Sequence, residues 1–151
     1  MSQIPFLVET ARVLEILSKQ IYDSPYAMVR ENIQNAYDAV LMRARRQSRD
    51  ACELAIDVEV TPDRITIRDE GIGMSEEVLR QNFWRAGSSG KNNDEARAAG
   101  VIGTFGIGAM ANFGVCDRLQ VDTRPVGTLE GFRTSVQKSQ LSIGENCIEL
   151  E

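Results

Sequence analysis

The chain has 151 residues, a hydrophobic fraction of 42%, a charged fraction of 26% and a formal charge of −5. That is the make-up of one globular domain, long enough to hide roughly 68–70% of its unfolded surface without disulfide or metal staples. Seventeen basic residues against 22 acidic ones argue against a surface built mainly for nucleic acid, and no apolar run nears the about 20 residues of a membrane span.

In chain order, Val8, Ala11, Val13, Leu14, Leu17 and Ile21 fall close to helical spacing and predict a first amphipathic helix. Ser24-Pro25 reads as an N-cap followed by proline at the first helical position, where its missing N–H costs nothing; the helix it opens is predicted to run to about Arg46. Glu53 to Val60 alternates as a strand, Thr61-Pro62-Asp63 is a turn, and Arg64 to Asp69 is a second strand, so an antiparallel hairpin is expected. Eight of the 12 glycines then lie between Gly71 and Gly108, interrupted by a short helical stretch around Ser75 to Phe83. A helix from about Ile107 to Phe113 is followed by strands near Arg118–Thr123, Gly131–Gln137 and Asn146–Leu150. With no internal repeat, low-complexity tract or linker, residues 1–151 read as a single domain. Helices on one face of a mostly antiparallel sheet would make it a two-layer α+β sandwich.

The residue inventory excludes much chemistry. Without histidine there is no Ser-His-Asp or Cys-His catalysis, no imidazole metal site and no phosphohistidine within the chain. Cys52, Cys116 and Cys147 include no CxxC pair and read as small hydrophobes rather than as disulfide or zinc ligands. The N-terminus lacks the basic-then-apolar layout of a secretory leader, so a cytoplasmic location is expected.

Three constellations remain. On the long helix, Glu31, Asn35 and Asp38 fall within an arc of about 60°, while Val29, Ile33, Ala36 and Val40 centre roughly 150° away. Taken alone, that is a solvated polar stripe opposite a buried face. Next, Asp69-Glu-Gly71-Ile-Gly73-Met74 follows a strand directly. Its glycines permit close backbone approaches, and Asp69 is placed either to accept from a buried amine such as that of adenine, or simply to face water in a turn. Third, Gly100-Val-Ile-Gly103-Thr-Phe-Gly106-Ile-Gly108 runs into a helix, where unpaired N–H groups suit phosphate; the plainer reading is a hinge. Two commoner motifs fail. A P-loop would need glycine at Arg85 and Ser or Thr at Asn92, and the GxGxxA match at Gly106–Ala111 lacks the preceding buried strand and the βαβ alternation of a dinucleotide fold.

Together and in this order, Glu31-x-x-x-Asn35-Ala36-x-Asp38-Ala39, Asp69-x-Gly71-x-Gly73-Met74 and Gly103-x-Phe105-Gly106-x-Gly108 resemble the N-box and two glycine boxes of the GHKL ATPases. This Bergerat-fold superfamily contains Hsp90, the ATPase component of DNA gyrase, the MutL proteins and sensor histidine kinases. Tyr22-Asp-Ser-Pro25, Ser88-Ser-Gly-Lys91 and Phe105 to Val121 are most similar to the Hsp90 N-terminal ATPase domain, over roughly Phe6 to Thr123. The resemblance implies ATP or ADP as ligand, with Mg²⁺ held by Asn35 and Glu31 as general base. Asp69 would accept the adenine amine, with Gly71, Gly73 and Met74 lining that pocket and Asp38 as polar support. Gly103, Thr104, Phe105, Gly106, Ile107 and Gly108 would wrap the phosphates, and Gly87 to Gly103, including Lys91, would be a lid over the nucleotide.

The lid looks shorter than in Hsp90. The superfamily's adenine-supporting threonine is not assigned to Thr128, because Pro125 and Gly131 make its surroundings a loop. The sequence stops about where another strand is expected, so a fragment of a longer protein is expected; the resemblance to Hsp90 implies downstream domains, a homodimer partner or client proteins, and a catalytic cation from a domain after this one. The isolated piece is therefore expected to hydrolyse ATP slowly. Two alternatives stay open: a nucleotide-gated DNA clamp of the MutL or gyrase type, and an interaction module that holds nucleotide without hydrolysing it. A sensor kinase would need a histidine-bearing domain beside this one.

Overall fold

The computed structural model describes residues 25–85, 109, 112–142 and 145–151. The first predicted helix and the glycine run from 86 to 108 lie outside these residues, and the predicted helix over 107–113 is described only at Ala109, which is helical, and in the 3₁₀ turn Asn112–Gly114. Helix α1 spans Pro25–Arg46, the bounds its sequence implies. Arg43, Arg45 and Arg46 occupy its last turn and complement the helix dipole. The chain leaves α1 through a Schellman motif: Ser48 N donates to Arg45 O at 3.2 Å and Arg49 N to Ala44 O at 2.8 Å. Ser48 takes the left-handed conformation, φ 52°, where glycine is usual.

A 3₁₀ turn at Ala51–Glu53, capped by Asp50 accepting from Cys52 N at 2.9 Å, precedes strand β1, Ile56–Val60. The strand therefore starts later than alternation alone suggests, because Asp50 captures the backbone first. β1 pairs antiparallel with β2, Ile65–Asp69, from Ile56↔Asp69 to Val60↔Ile65. Thr61 N donates to Arg64 O at 2.8 Å to close the turn, and Glu70 N donates to Ala55 O at 3.0 Å to extend the ladder.

Ser75 caps a single helical turn α2, Glu76–Val78, by accepting from Val78 N; this passes into a π-helical turn, Leu79–Phe83. Strands β3, Arg118–Thr123, and β4, Phe132–Gln137, form a second antiparallel hairpin, and β5, Glu149–Leu150, pairs with β4. Thr128 lies in the loop between β3 and β4, its hydroxyl donating to Pro125 O at 2.9 Å, as its neighbours imply.

The architecture is α+β with antiparallel sheets, although the described strands divide into two ladders, β1-β2 and β3-β4-β5, rather than one. α1 packs on β2, on β1 and on the 3₁₀ turns at Ala51–Glu53 and Asn112–Gly114. Its buried side includes Met28, Ala36, Val40 and Ala44, while Leu79, Phe113 and Val136 are buried elsewhere. Small alanines on α1 let the backbones approach. Among the described residues, no helix is long and apolar enough to cross a membrane.

Candidate functional site

The acidic and amide residues of α1 are only partly where a helical wheel puts them. Glu31 is 37% exposed at its side chain, 3.6 Å from the Arg30 guanidinium, and Asn35 is half-buried. Asp38 departs from the solvated stripe: it has no exposed surface and accepts from Gln34 Nε2 at 2.9 Å. Ile33, expected on the buried face, is 37% exposed. Ala36 and Asp38 lie about 200° apart around the helix, yet both are buried. The middle of α1 is thus covered on two sides, which no one-face pattern can express. A buried carboxylate persists only when it is hydrogen-bonded, so Gln34 and Asp38 are part of the architecture.

The second constellation is a turn clamped from both sides. Asp69 ends β2, and its Oδ1 accepts from Gly71 N at 2.8 Å, an Asx turn. On the helix side, Ile72 N donates to Ala39 O at 3.0 Å and Arg43 Nη1 to Glu70 O at 2.8 Å. A Cβ on Gly71 would lie 2.4 Å from that of Ala39, so glycine here is what lets the turn touch the helix one residue past Asp38. On the strand side, Met74 N donates to Thr123 Oγ1 and Val126 N to Ile72 O, both at 2.9 Å. Gly73 has φ +70°, and a Cβ there would sit 2.1 Å from Arg124 O. No side chain fits.

Asp69 opens to solvent, but the chain around it displaces enough water to raise its pKa above the ordinary aspartate value; the Gly71 N–H opposes that shift. With one oxygen engaged in the turn, an ionised carboxylate keeps further acceptor capacity for an incoming donor.

The helix is also tied to the segment that follows the glycine run. Asn32 Nδ2 donates to Asn112 Oδ1 at 2.7 Å and to Met28 O at 2.9 Å. Asn112, 4% exposed, donates to Ala109 O at 3.2 Å, and its own carbonyl accepts from Val115 N and Cys116 N. Burial, with Asp117 adding to it, raises the Cys116 thiol, in keeping with an inert packing role.

Lys91, Gly103, Thr104, Phe105, Gly106, Ile107 and Gly108 lie outside the described residues. The structure therefore brings together Asp69, Gly71, Gly73 and Met74, and joins their turn to α1 beside Asp38. Arg43, Thr123, Asn32 and Asn112, which hold these parts in place, were not singled out by motif. Their contacts span 27, 49 and 80 positions of sequence, and periodicity carries no signal at that range.

The profile of the histidine kinase-, DNA gyrase B- and HSP90-like ATPases matches residues 22–148, from just before α1 through β4 and the segment leading to β5. The chain belongs to this family. Among curated relatives, the chaperone protein HtpG of Streptomyces coelicolor is 32% identical over 163 residues, covering 97% of this chain and 25% of its own length. The HtpG of Nocardia farcinica is 34% identical over 149 residues, covering 87% of this chain and 23% of its own. The mitochondrial heat shock protein 75 kDa of Bos taurus is 32% identical over 142 residues, covering 85% of this chain and 20% of its own. The chain thus spans between a fifth and a quarter of the length of these relatives. The match covers the α1 stripe, the Asp69 turn and the glycine run that follows them, so the resemblance in these boxes belongs to a likeness along most of the domain.

Proposed function

We propose that this chain binds ATP with Mg²⁺ and hydrolyses it slowly, as one domain of a longer, chaperone-like protein. The observation that carries the reading is the Asp69 turn: a partly desolvated carboxylate at a strand end, fixed by glycines that admit no side chain, within a domain of an ATPase family. Such a carboxylate accepts an exocyclic amine, and a turn held by both helix and strand gives it a fixed direction. The chaperone-like context rests on the names of the relatives, which also weigh against the DNA-clamp alternative. We keep the cytoplasm as the expected location, noting that one relative is mitochondrial.

For Mg²⁺, the donor types fit: Asn35 offers an amide oxygen, a hard ligand. Bound there, Mg²⁺ would neutralise phosphate charge. Glu31, partly exposed on the same helix, would orient the attacking water and take its proton as the water oxygen bonds to the γ-phosphorus and the bond to the bridging oxygen breaks. Gly103 to Gly108 and Lys91 would contact the phosphates, with Gly87 to Gly103 closing over them. Asp38 would hold the helix beside the base turn, and ADP would remain as product. Downstream domains, a second copy of the chain and client proteins are the partners we propose for the longer protein.

Glu31→Ala tests the chemistry. It should bind ATP as the unaltered chain does and release no phosphate. Phosphate release at the unaltered rate would remove Glu31 from the mechanism.

A further inference from the structure

A single peptide group separates a cation on α1 from the carboxylate of Asp69. The carbonyl of the Glu70–Gly71 peptide accepts from Arg43 Nη1 at 2.8 Å, and the N–H of the same peptide donates to Asp69 Oδ1, also at 2.8 Å. In a trans peptide the C=O and N–H leave opposite edges of one plane. Arg43 and Asp69 therefore grip the plane from its two sides, and a hydrogen-bonded chain runs from guanidinium to carboxylate. Both ends of that chain carry charge, which polarises the peptide between them and strengthens each bond.

The neighbouring peptides are fixed by other means. Glu70 N donates to Ala55 O at 3.0 Å, and Ala55 N returns a bond to Glu70 Oε2 at 2.9 Å. On the other side, Ile72 N donates to Ala39 O. The Glu70–Gly71 peptide lies between these anchors, and turning it over changes Glu70 ψ and Gly71 φ. The contact with Ala39 requires glycine at 71, and glycine opposes such a rotation least of all residues. A flipped plane would aim the Glu70 carbonyl at Asp69 and take away its donor. Arg43 stands one helical turn beyond Ala39, on the side of α1 that meets this turn, and its Nε donates to Gln47 Oε1 at 3.2 Å, which steadies the guanidinium.

We propose that Arg43 is a positioning residue for Asp69: through the Glu70–Gly71 peptide it fixes the orientation of the carboxylate, and with it the preference of the site for a purine that carries an exocyclic amine. Gly71 occupies Oδ1, so the direction of that bond sets where the remaining acceptor capacity points. The inference rests on the ATP-site reading above and concerns its base-reading step alone.

The test is calorimetric titration of the full chain with adenosine and with purine riboside, which differs from adenosine only in lacking the exocyclic amine. The unaltered protein is compared with Arg43→Met and Asp69→Asn. The Arg43 bond lies at the surface, so water takes the Glu70 carbonyl in Arg43→Met and the melting curve should stay close to that of the unaltered chain. Arg43→Met should bind adenosine roughly tenfold more weakly, the scale of one hydrogen bond to a charged group, and purine riboside within about twofold of the unaltered chain. Asp69→Asn should bind adenosine no better than purine riboside. An Arg43→Met variant that keeps the preference for adenosine, or that loses both purines in parallel, would overturn the proposal; if Asp69→Asn has meanwhile lost the preference, the base assignment stands and this inference alone fails. Should Arg43→Met fail to fold, Arg43→Gln is read by the same criteria. If the unaltered chain binds neither purine, or binds both equally, the base assignment and this inference fall together.

Discussion

Replacing Gly73 with alanine, with Gly127 as its internal control, tests how tightly the Asp69 turn is wedged into the fold. Both glycines are left-handed, φ +70° and φ +85°, and an alanine pays about 1–2 kcal/mol for that conformation wherever it occurs. At Gly127 a Cβ would meet nothing within 4 Å, so this is the whole expected cost. At Gly73 it would stand 2.1 Å from Arg124 O, 2.6 Å from Arg124 C and 3.0 Å from Pro125 Cα. These are backbone atoms and cannot swing aside, so overpacking adds about 1–3 kcal/mol, for a total of about 2–5 kcal/mol. The obvious relief is for the turn to move off the strand, which breaks the bonds from Met74 N to Thr123 and from Val126 N to Ile72. Urea unfolding of both variants, with adenosine titration alongside, reads the two effects. Gly73→Ala should lose more stability than Gly127→Ala and bind adenosine more weakly, while Gly127→Ala keeps its affinity. Equal stability losses, or unaltered adenosine binding by Gly73→Ala, would refute the wedged turn.

An ionised Asp69 accepts an amine more strongly than a protonated one, so on the proposed reading its raised pKa should make ATP affinity fall on acidification at a higher pH than an ordinary aspartate would cause. For the free chain the sign is opposite: a raised folded value adds stability below the usual carboxylate range and loses it as pH rises through that value, so Asp69→Asn should not destabilise the chain at neutral pH. Calorimetric titrations and melts across the acidic range check both. Asn112→Ala should cost about 1–3 kcal/mol in a thermal melt, because it strips a buried partner from Asn32. Ser48→Gly should stabilise the chain by about 0.5–1 kcal/mol in the same assay, since it relieves a left-handed serine at the end of α1.

Local signals in the sequence were reliable where local chemistry decides. Pro25 and the arginine-rich last turn bound α1, and alternation with Thr61-Pro62-Asp63 gives the first hairpin. Gly71 and Gly73 are legible in the sequence because their contacts with Ala39 and Arg124 admit nothing larger. Asp38 and Ile33 were misplaced because a wheel assumes one buried face, whereas α1 is covered on two sides. The division of the strands into two ladders, and the ties made by Arg43, Thr123 and Asn112, depend on chain segments meeting from far apart in sequence. The side-chain period of a helix or strand does not encode those meetings.

The most direct measurement is calorimetric titration of Mg²⁺-ATP into the unaltered chain and into Asp69→Asn at neutral pH. If Asp69 reads the adenine amine, the unaltered chain gives a saturable one-to-one isotherm, and Asp69→Asn, folded by its melting curve, gives none. An unaltered chain silent at millimolar nucleotide, or an Asp69→Asn isotherm that matches it, would contradict the central claim.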